Sequence, residues 1–184
     1  MSPTRRWKDL DEETVFSVPF VSITRTRSSR EGDEKQGRFY RLHFPDWANI
    51  FAVTPEGEVV FVHQFRQGVM EHTLELPGGV MEPGEDPLEG ARRELVEETG
   101  YTADEWISLG PVFPNPAIQD NRCTTFIAKN ARRTHPTAFD ADEELELELI
   151  PLSELVGRTL RGQVTNAVIV AGIARALAAL DAWR

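Results

Sequence analysis

The sequence predicts an α+β fold: a mixed β-sheet covered by helices, in the manner of an α-β-α sandwich. Three observations carry this. Short runs rich in β-branched and aromatic residues follow one another through the first half of the chain. One capped helical segment, "DPLEGARRELVEETG" (86–100), interrupts them. A long apolar helical pattern, "QVTNAVIVAGIARALAALDAW" (163–183), closes the chain.

In order, "TVFSVPFVSITRTRS" (14–28) reads as one or two strands, "SREGDEKQG" (29–37) as a turn and "RFYRLHF" (38–44) as an alternating strand. "ANIFAVTPEGEVVFVHQFR" (48–66) is two apolar runs about "TPEG", a hairpin signal. "HTLELP" (72–77) is a further short strand. In 86–100, Asp86 suits the N-cap, Pro87 the first turn and Gly100 the C-terminal cap. Leu88, Ala91 and Leu95 fall on the side expected to be buried. "WISLGPVF" (106–113) and "CTTFIAKN" (123–130) are strands about the loop "PNPAIQDNR" (114–122). "EELELELI" (143–150) alternates strictly, with Glu144, Glu146 and Glu148 expected toward solvent. "PLSELVGRTLRG" (151–162) suggests a short helix and turn.

The 184 residues suit one domain, or one with an appendage. No apolar run approaches the roughly 20 residues that span a bilayer. The first residues carry charge and no apolar signal core, and the single cysteine excludes an internal disulfide. A cytoplasmic protein is expected. The net charge of -10 repels nucleic-acid backbones, and "RRWK" (5–8) and "ARR" (131–133) are too small for such a footprint. No membrane or nucleic-acid partner is expected. Cys123, in an apolar run, reads as an inert core residue, and His63, His72 and His135 are isolated in sequence. Neither a dinucleotide-binding GxGxxG nor a P-loop is present.

Glu94, Glu97 and Glu98 are neighbours on one helical face at i, i+3 and i+4. Like charges so placed repel by a few tenths of a kcal/mol per pair. Two readings remain for such a face. Arg92 and Arg93 can lace it to Glu89 and Glu97 as a solvated surface. Alternatively the carboxylates offer hard oxygen donors to Mg²⁺ or Mn²⁺, which would let an anionic phosphate approach an acidic protein.

The wider spacing favours the second reading. Gly79, Glu85, Arg93, Glu94, Leu95, Glu97, Glu98, Gly100 and Tyr101 fit G-x5-E-x7-R-E-U-x-E-E-x-G-U, where U is apolar. This resembles the Nudix box, with Tyr101 where an aliphatic residue is commoner. The resemblance implies a Nudix hydrolase with the Nudix α-β-α sandwich. It implies Glu94, Glu97 and Glu98 as metal ligands with the Gly78 carbonyl, Arg93 and Glu85 as orienters, and Mg²⁺ as the cofactor, with Mn²⁺ as a substitute. "VVFVHQFRQG" followed by "LELPGG" resembles the ADP-ribose pyrophosphatase and nucleoside-diphosphate-sugar branch, with Gly78 where alanine is frequent. Pro116 lies fifteen residues beyond Tyr101, as a proline does in that branch.

That branch resemblance makes Arg66, Trp47, Glu75 and Pro116 the candidate substrate contacts. Arg66 also reads as a solvated strand end, and Trp47 and Phe20 also read as core aromatics. A glutamate in the loop "FDADEE" (139–144) is implied as general base, Glu143 first and Glu144 next, with Glu97 of the box as a further catalytic carboxylate. The resemblance divides the chain into a β-region (1–45) that supports a homodimer and a hydrolase domain (46–184). The expected reaction is metal-dependent cleavage of ADP-ribose or a related nucleotide sugar. The alternatives are an RNA 5′-pyrophosphohydrolase, a dinucleoside-polyphosphate hydrolase, or a non-catalytic nucleotide-sensing module.

Overall fold

The computed structural model describes residues 4–138 and 144–181. They form two compact units: the chain up to Pro45 together with Phe113–Arg122, and Asp46–Val112 together with the chain from Cys123 onward.

The first unit is an antiparallel sheet of β1 (Trp7–Val18), β2 (Val21–Arg30) and β3 (Gln36–His43), with β2 central. β1 starts seven residues before the apolar run that suggests it, because its acidic residues are paired rather than repelling. Asp11 and Glu13 lie directly opposite Arg27 and Arg25 in the ladder, and Arg41 of β3 reaches both Asp9 and Glu12. Opposite charges across strands contribute about 0.2–1 kcal/mol per pair. Segment 113–122 joins this unit through the Leu42 amide, which donates to the Ile118 carbonyl at 2.7 Å. His43 Nδ1 also pairs with the Asp120 carboxylate at 2.5 Å.

The second unit is built on a mixed sheet. Its strands are β4 (Trp47–Val53), β5 (Glu58–Arg66), β6 (Glu71–Glu75), β8 (Glu105–Val112), β9 (Cys123–Lys129) and β11 (Leu145–Pro151). The path runs β11-β5-β4-β9-β8, with β6 on β5 and β4 parallel to β9. The short strands β7 (Tyr101–Thr102) and β10 (Arg132–Arg133) pair separately.

The sheet's alternation builds two cores. Phe51, Val59, Phe61 and Ile127 face one way, against Leu155 of α2 (Leu155–Leu160) and Ile169, Ile173 and Ala176 of α3 (Ala167–Asp181). Ile50, Ala52, Val60, Phe126 and Ala128 face the other way, against Ala91 and Leu95 of α1 (Pro87–Thr99). The period of 2 in each strand thus requires a helix on each side. This is the predicted mixed sheet between helices.

The "TPEG" turn closes as predicted, with the Thr54 amide donating to the Glu58 carbonyl at 2.8 Å. Its strands then part: β4 and β5 pair only at Val53 and Val59. β5 continues with β6, while β4 pairs with the segment after β6. The amides of Ala48 and Ile50 donate to the carbonyls of Gly79 and Pro77. This split lays the glycine turn against the sheet.

The ends of α1 follow its sequence. Asp86 accepts from the amides of Leu88 and Glu89, and Pro87 opens the helix. Gly100 closes it at φ 74°, its amide donating to the Val96 carbonyl. A Cβ on Gly100 would also stand 2.2 Å from the His135 carbonyl oxygen. Gly100→Ala is therefore expected to destabilise the protein by about 1–3 kcal/mol from backbone strain, with the clash adding to it. A urea-unfolding midpoint unchanged from the parent would refute this account of the cap.

Candidate functional site

A pocket of about 580 Å³ opens on the second unit. Its wall includes Trp47, Asn49, Gln64, Arg66, Glu75, Gly78, Gly79, Arg93, Glu94, Glu97, Glu98, Ala138 and Asn166. The pocket therefore brings together Arg66, Trp47, Glu75, Gly78, Arg93 and the box glutamates. Pro116 lies in the first unit, where it lines a hollow with Phe39, Tyr40 and Arg41. Phe20 is exposed in the turn between β1 and β2. Glu143 lies outside the described residues, and Glu144 is exposed just before β11.

The carboxylates are organised by one guanidinium. Arg93 donates from Nε and Nη2 to the two oxygens of Glu85, each at 3.1 Å, and from Nη2 to the Val80 carbonyl. From Nη1 it donates to Glu94 at 2.9 Å and Glu97 at 3.0 Å. These five bonds match the five N–H groups a guanidinium has. The Glu85 carboxylate, aided by Glu94 and Glu97, holds the Arg93 pKa above its ordinary value. Arg93 in turn holds the Glu85 carboxyl below its own. Arg92 pairs outward with Glu89 at 2.7 Å.

The two glycines have separate reasons. Gly78 sits at φ 152°, and a Cβ there would stand 2.0 Å from the Ala48 carbonyl oxygen. Its amide donates to Glu98 Oε2 at 2.8 Å, which fixes that carboxylate beneath the turn at 5% residue exposure. β4 takes the carbonyls of Pro77 and Gly79 and passes over that of Gly78. A Cβ on Gly79 would stand 2.4 Å from the Glu94 carboxyl carbon. Glycine lets the turn lie directly on the acidic helix.

Three carboxylates and a nearby peptide carbonyl suit a hard divalent cation by donor type. Among the described residues, no three acidic, histidine or cysteine side chains already converge on a point that could hold a metal ion. Glu85, Glu94 and Glu97 are drawn to Arg93, and Glu98 to the Gly78 amide. A cation bound here takes carboxylate oxygens from Arg93. The side chain of Glu97 is 44% exposed and that of Glu94 14%, so both border the open pocket.

Glu75 of β6 is a different kind of carboxylate, only 3% exposed. Oε1 accepts from Arg66 Nε at 3.1 Å and the Thr73 hydroxyl at 2.8 Å. Oε2 accepts from Arg66 Nη2 at 2.9 Å and Asn166 Nδ2 at 3.2 Å. Burial pushes the Glu75 pKa up, but Arg66, Thr73 and Asn166 outweigh it, and the carboxyl stays below its ordinary range. Arg66 keeps 48% of its side chain exposed and lines the pocket.

Asn49 and Asn166 were not reached from the sequence. Asn49 is buried, and its Nδ2 has no hydrogen-bond partner among the described residues. Asn166 precedes α3, and an N-cap search before that apolar run would have found it. Nothing in the local pattern of β4 marks Asn49. On β11, Glu148 is not turned freely to solvent: it binds His63 Nε2 at 2.7 Å and Arg158 at 2.5 Å. His63, isolated in sequence, is thereby paired in space. Cys123 is fully buried, its thiol pushed up to about 12 by burial despite a hydrogen bond from Trp47, as an inert core cysteine requires.

The lowered pKa of Glu75 fixes the sign of its contribution to folding. Its ionised form stabilises the fold above the unfolded value of about 4.3, and that contribution is lost as pH falls through the depressed folded value. Glu75→Gln is expected to be less stable than the parent at pH 7 and to lose less stability on acidification from pH 5 to pH 3. Parallel acid-unfolding curves for the two proteins would contradict this.

The NUDIX domain model matches residues 43–171. An ADP-ribose pyrophosphatase of Bacillus subtilis is 33% identical over 148 residues, which cover 80% of each chain. One of Mycobacterium tuberculosis is 27% identical over 169 residues, 91% of this chain and 81% of that one. A crystal structure of an ADP compounds hydrolase superposes with a TM-score of 0.86 at 18% identity, over 97% of this chain and 96% of that one, a likeness of fold. The pocket with its Arg93-centred glutamates, the domain match and these relatives lead to one conclusion: the chain belongs to the NUDIX domain family, as a Nudix pyrophosphohydrolase of the ADP-ribose pyrophosphatase branch.

Proposed function

We propose that the protein hydrolyses the diphosphate bond of ADP-ribose or a related nucleoside-diphosphate sugar, giving a nucleoside monophosphate and a sugar phosphate, with Mg²⁺ as cofactor. The observation that carries this is one pocket lined by both a cation, Arg66, and the acidic set Glu94, Glu97 and Glu98. The names of the B. subtilis and M. tuberculosis relatives support the choice of substrate.

Glu94, Glu97, Glu98 and the Gly78 carbonyl would hold Mg²⁺, which when bound neutralises the diphosphate and polarises a P–O bond. The chain's residues do the rest. Arg66, held by Glu75 through Nε and Nη2, turns the outer edge of its guanidinium to a phosphate and places the substrate in the pocket. A carboxylate takes a proton from the attacking water as oxygen bonds to one phosphorus. The bond to the bridging oxygen breaks, and the second phosphate leaves with that oxygen. For ADP-ribose the products are AMP and ribose 5-phosphate.

Glu143 is our choice for the base, with Glu144 next and Glu97 as the alternative on the helix. Ala138, the last described residue before Glu143, lines the pocket and donates its amide to the Glu97 carbonyl at 2.8 Å. Residues 1–45 complete the proposal as the element of a homodimer. Phe16, Phe20, Phe39 and Tyr40 are exposed there, consistent with such a surface.

The decisive assay incubates the protein and Mg²⁺ with ADP-ribose, other nucleotide sugars, dinucleoside polyphosphates and 5′-triphosphate RNA. ADP-ribose or another nucleotide sugar is expected to be cleaved best, and Glu98→Gln to lower kcat at least about 100-fold. Cleavage of RNA far above the sugars would overturn the substrate reading. No cleavage of any compound would overturn the enzyme reading for this pocket. Gly79→Ala, which pushes on the Glu94 carboxylate, is expected to raise the Mg²⁺ concentration for half-maximal rate about 10-fold with little change in melting temperature. An unchanged Mg²⁺ titration would remove Glu94 from the cation site.

A further inference from the structure

We propose that Asn166 is a positioning residue for the reaction, acting through Glu75 on Arg66. The inference rests on the reading above in one respect, that Arg66 contacts the substrate's diphosphate.

Asn166 performs two tasks with one amide. Its Oδ1 accepts the Val168 amide at 3.0 Å, and its backbone carbonyl accepts the Val170 amide at 3.0 Å, so it is the N-cap of α3. Its Nδ2 points the other way and donates to Glu75 Oε2 at 3.2 Å. Cap and donor are the two ends of one planar group. The position of α3 on the sheet is therefore transmitted to the Glu75 carboxylate.

That carboxylate has no slack. Its two oxygens receive four donors: two from Arg66, one from Thr73 and one from Asn166. Four is the number of lone-pair sites a carboxylate has. Arg66 meets it edge-on through Nε and Nη2, the paired geometry in which the guanidinium and carboxylate planes are fixed together. Thr73 anchors the oxygen beside Nε, and Asn166 anchors the oxygen beside Nη2. Without the second anchor the carboxylate can pivot about its Thr73-bound oxygen, and the Arg66 fork turns with it. Arg66 is half-exposed at the end of β5, and this buried pairing holds one edge of its guanidinium in a fixed direction.

α3 is packed closely on the sheet. Ile169, Ile173 and Ala176 are buried against the sheet, and a Cβ on Gly172 would meet Thr125 Oγ1 at 3.1 Å. The helix is seated by this packing, and Asn166 links it to the pocket.

The test separates the two tasks. Asn166→Ser keeps an N-cap acceptor but cannot reach Glu75 as an amide donor. With ADP-ribose and Mg²⁺, it is expected to raise KM about 5- to 20-fold with kcat within about 2-fold, and to lower the melting temperature less than Asn166→Ala does. Arg66→Ala is expected to raise KM further, and the double variant to match Arg66→Ala alone, because Asn166 acts only through Arg66. Wild-type KM for Asn166→Ser beside an impaired Arg66→Ala would overturn the inference, as would additive effects in the double variant. Wild-type kinetics for Arg66→Ala would instead overturn the substrate-contact reading, and the inference with it. Asn166→Ala, which also loses the cap, controls for stability: a KM change that appears only in this variant, together with a fall in melting temperature, would reduce Asn166 to a helix cap.

Discussion

The site depends on one residue, Arg93. Three carboxylates at i, i+3 and i+4 on a helix would repel one another, and a fourth, Glu85, approaches from the preceding loop. The Arg93 guanidinium engages two of the three and the fourth at once, leaving Glu98 to the Gly78 amide. With all five N–H groups used, Arg93 sets where Glu85, Glu94 and Glu97 point. It also ties the loop to the helix, since Val80 and Glu85 are loop residues and Glu94 and Glu97 are helical. A cation that takes Glu94 and Glu97 therefore acts against an existing positive charge in the same place. In the resting structure it is Arg93, not a cation, that offsets the repulsion among Glu85, Glu94 and Glu97.

The sheet supplies the rest of the geometry. β4 and β5 separate after a single residue pair, and the turn after β6 fills the gap by bonding to β4. Gly78 and Gly79 permit that approach: a Cβ on Gly78 would strike the Ala48 carbonyl, and one on Gly79 would push the Glu94 carboxylate aside. Ala91 and Leu95 seat α1 on one face of the same strands, and Ile169 and Ile173 seat α3 on the other. The pocket thus draws one wall from each helix, with Arg93 in the first and Asn166 capping the second.

Legibility followed the range of the interactions. α1 was readable to the residue at both ends because Asp86, Pro87 and Gly100 act locally. The box residues were reached through the family resemblance, which their spacing along one helix and its leading turn carried. β1 was not readable before Thr14, since its charged residues become strand-formers only opposite Arg25 and Arg27 of β2. The alternation of β11 predicted its pleat but not that Glu148 would be claimed by His63 and Arg158. Glu75 was found as a member of a motif, but its burial and its tie to Asn166 link residues 91 positions apart. Glu143 was reached only through the family resemblance, and lies outside the described residues.

The most direct test of this account is a crystal structure grown with Mn²⁺, with anomalous scattering used to locate the ion. The account predicts a peak in contact with the carboxylates of Glu94 and Glu98, and an Arg93 side chain that has released Glu94 while keeping Glu85. A protein that is active with Mn²⁺, yet shows its only peak away from these glutamates with all five Arg93 bonds intact, would contradict it.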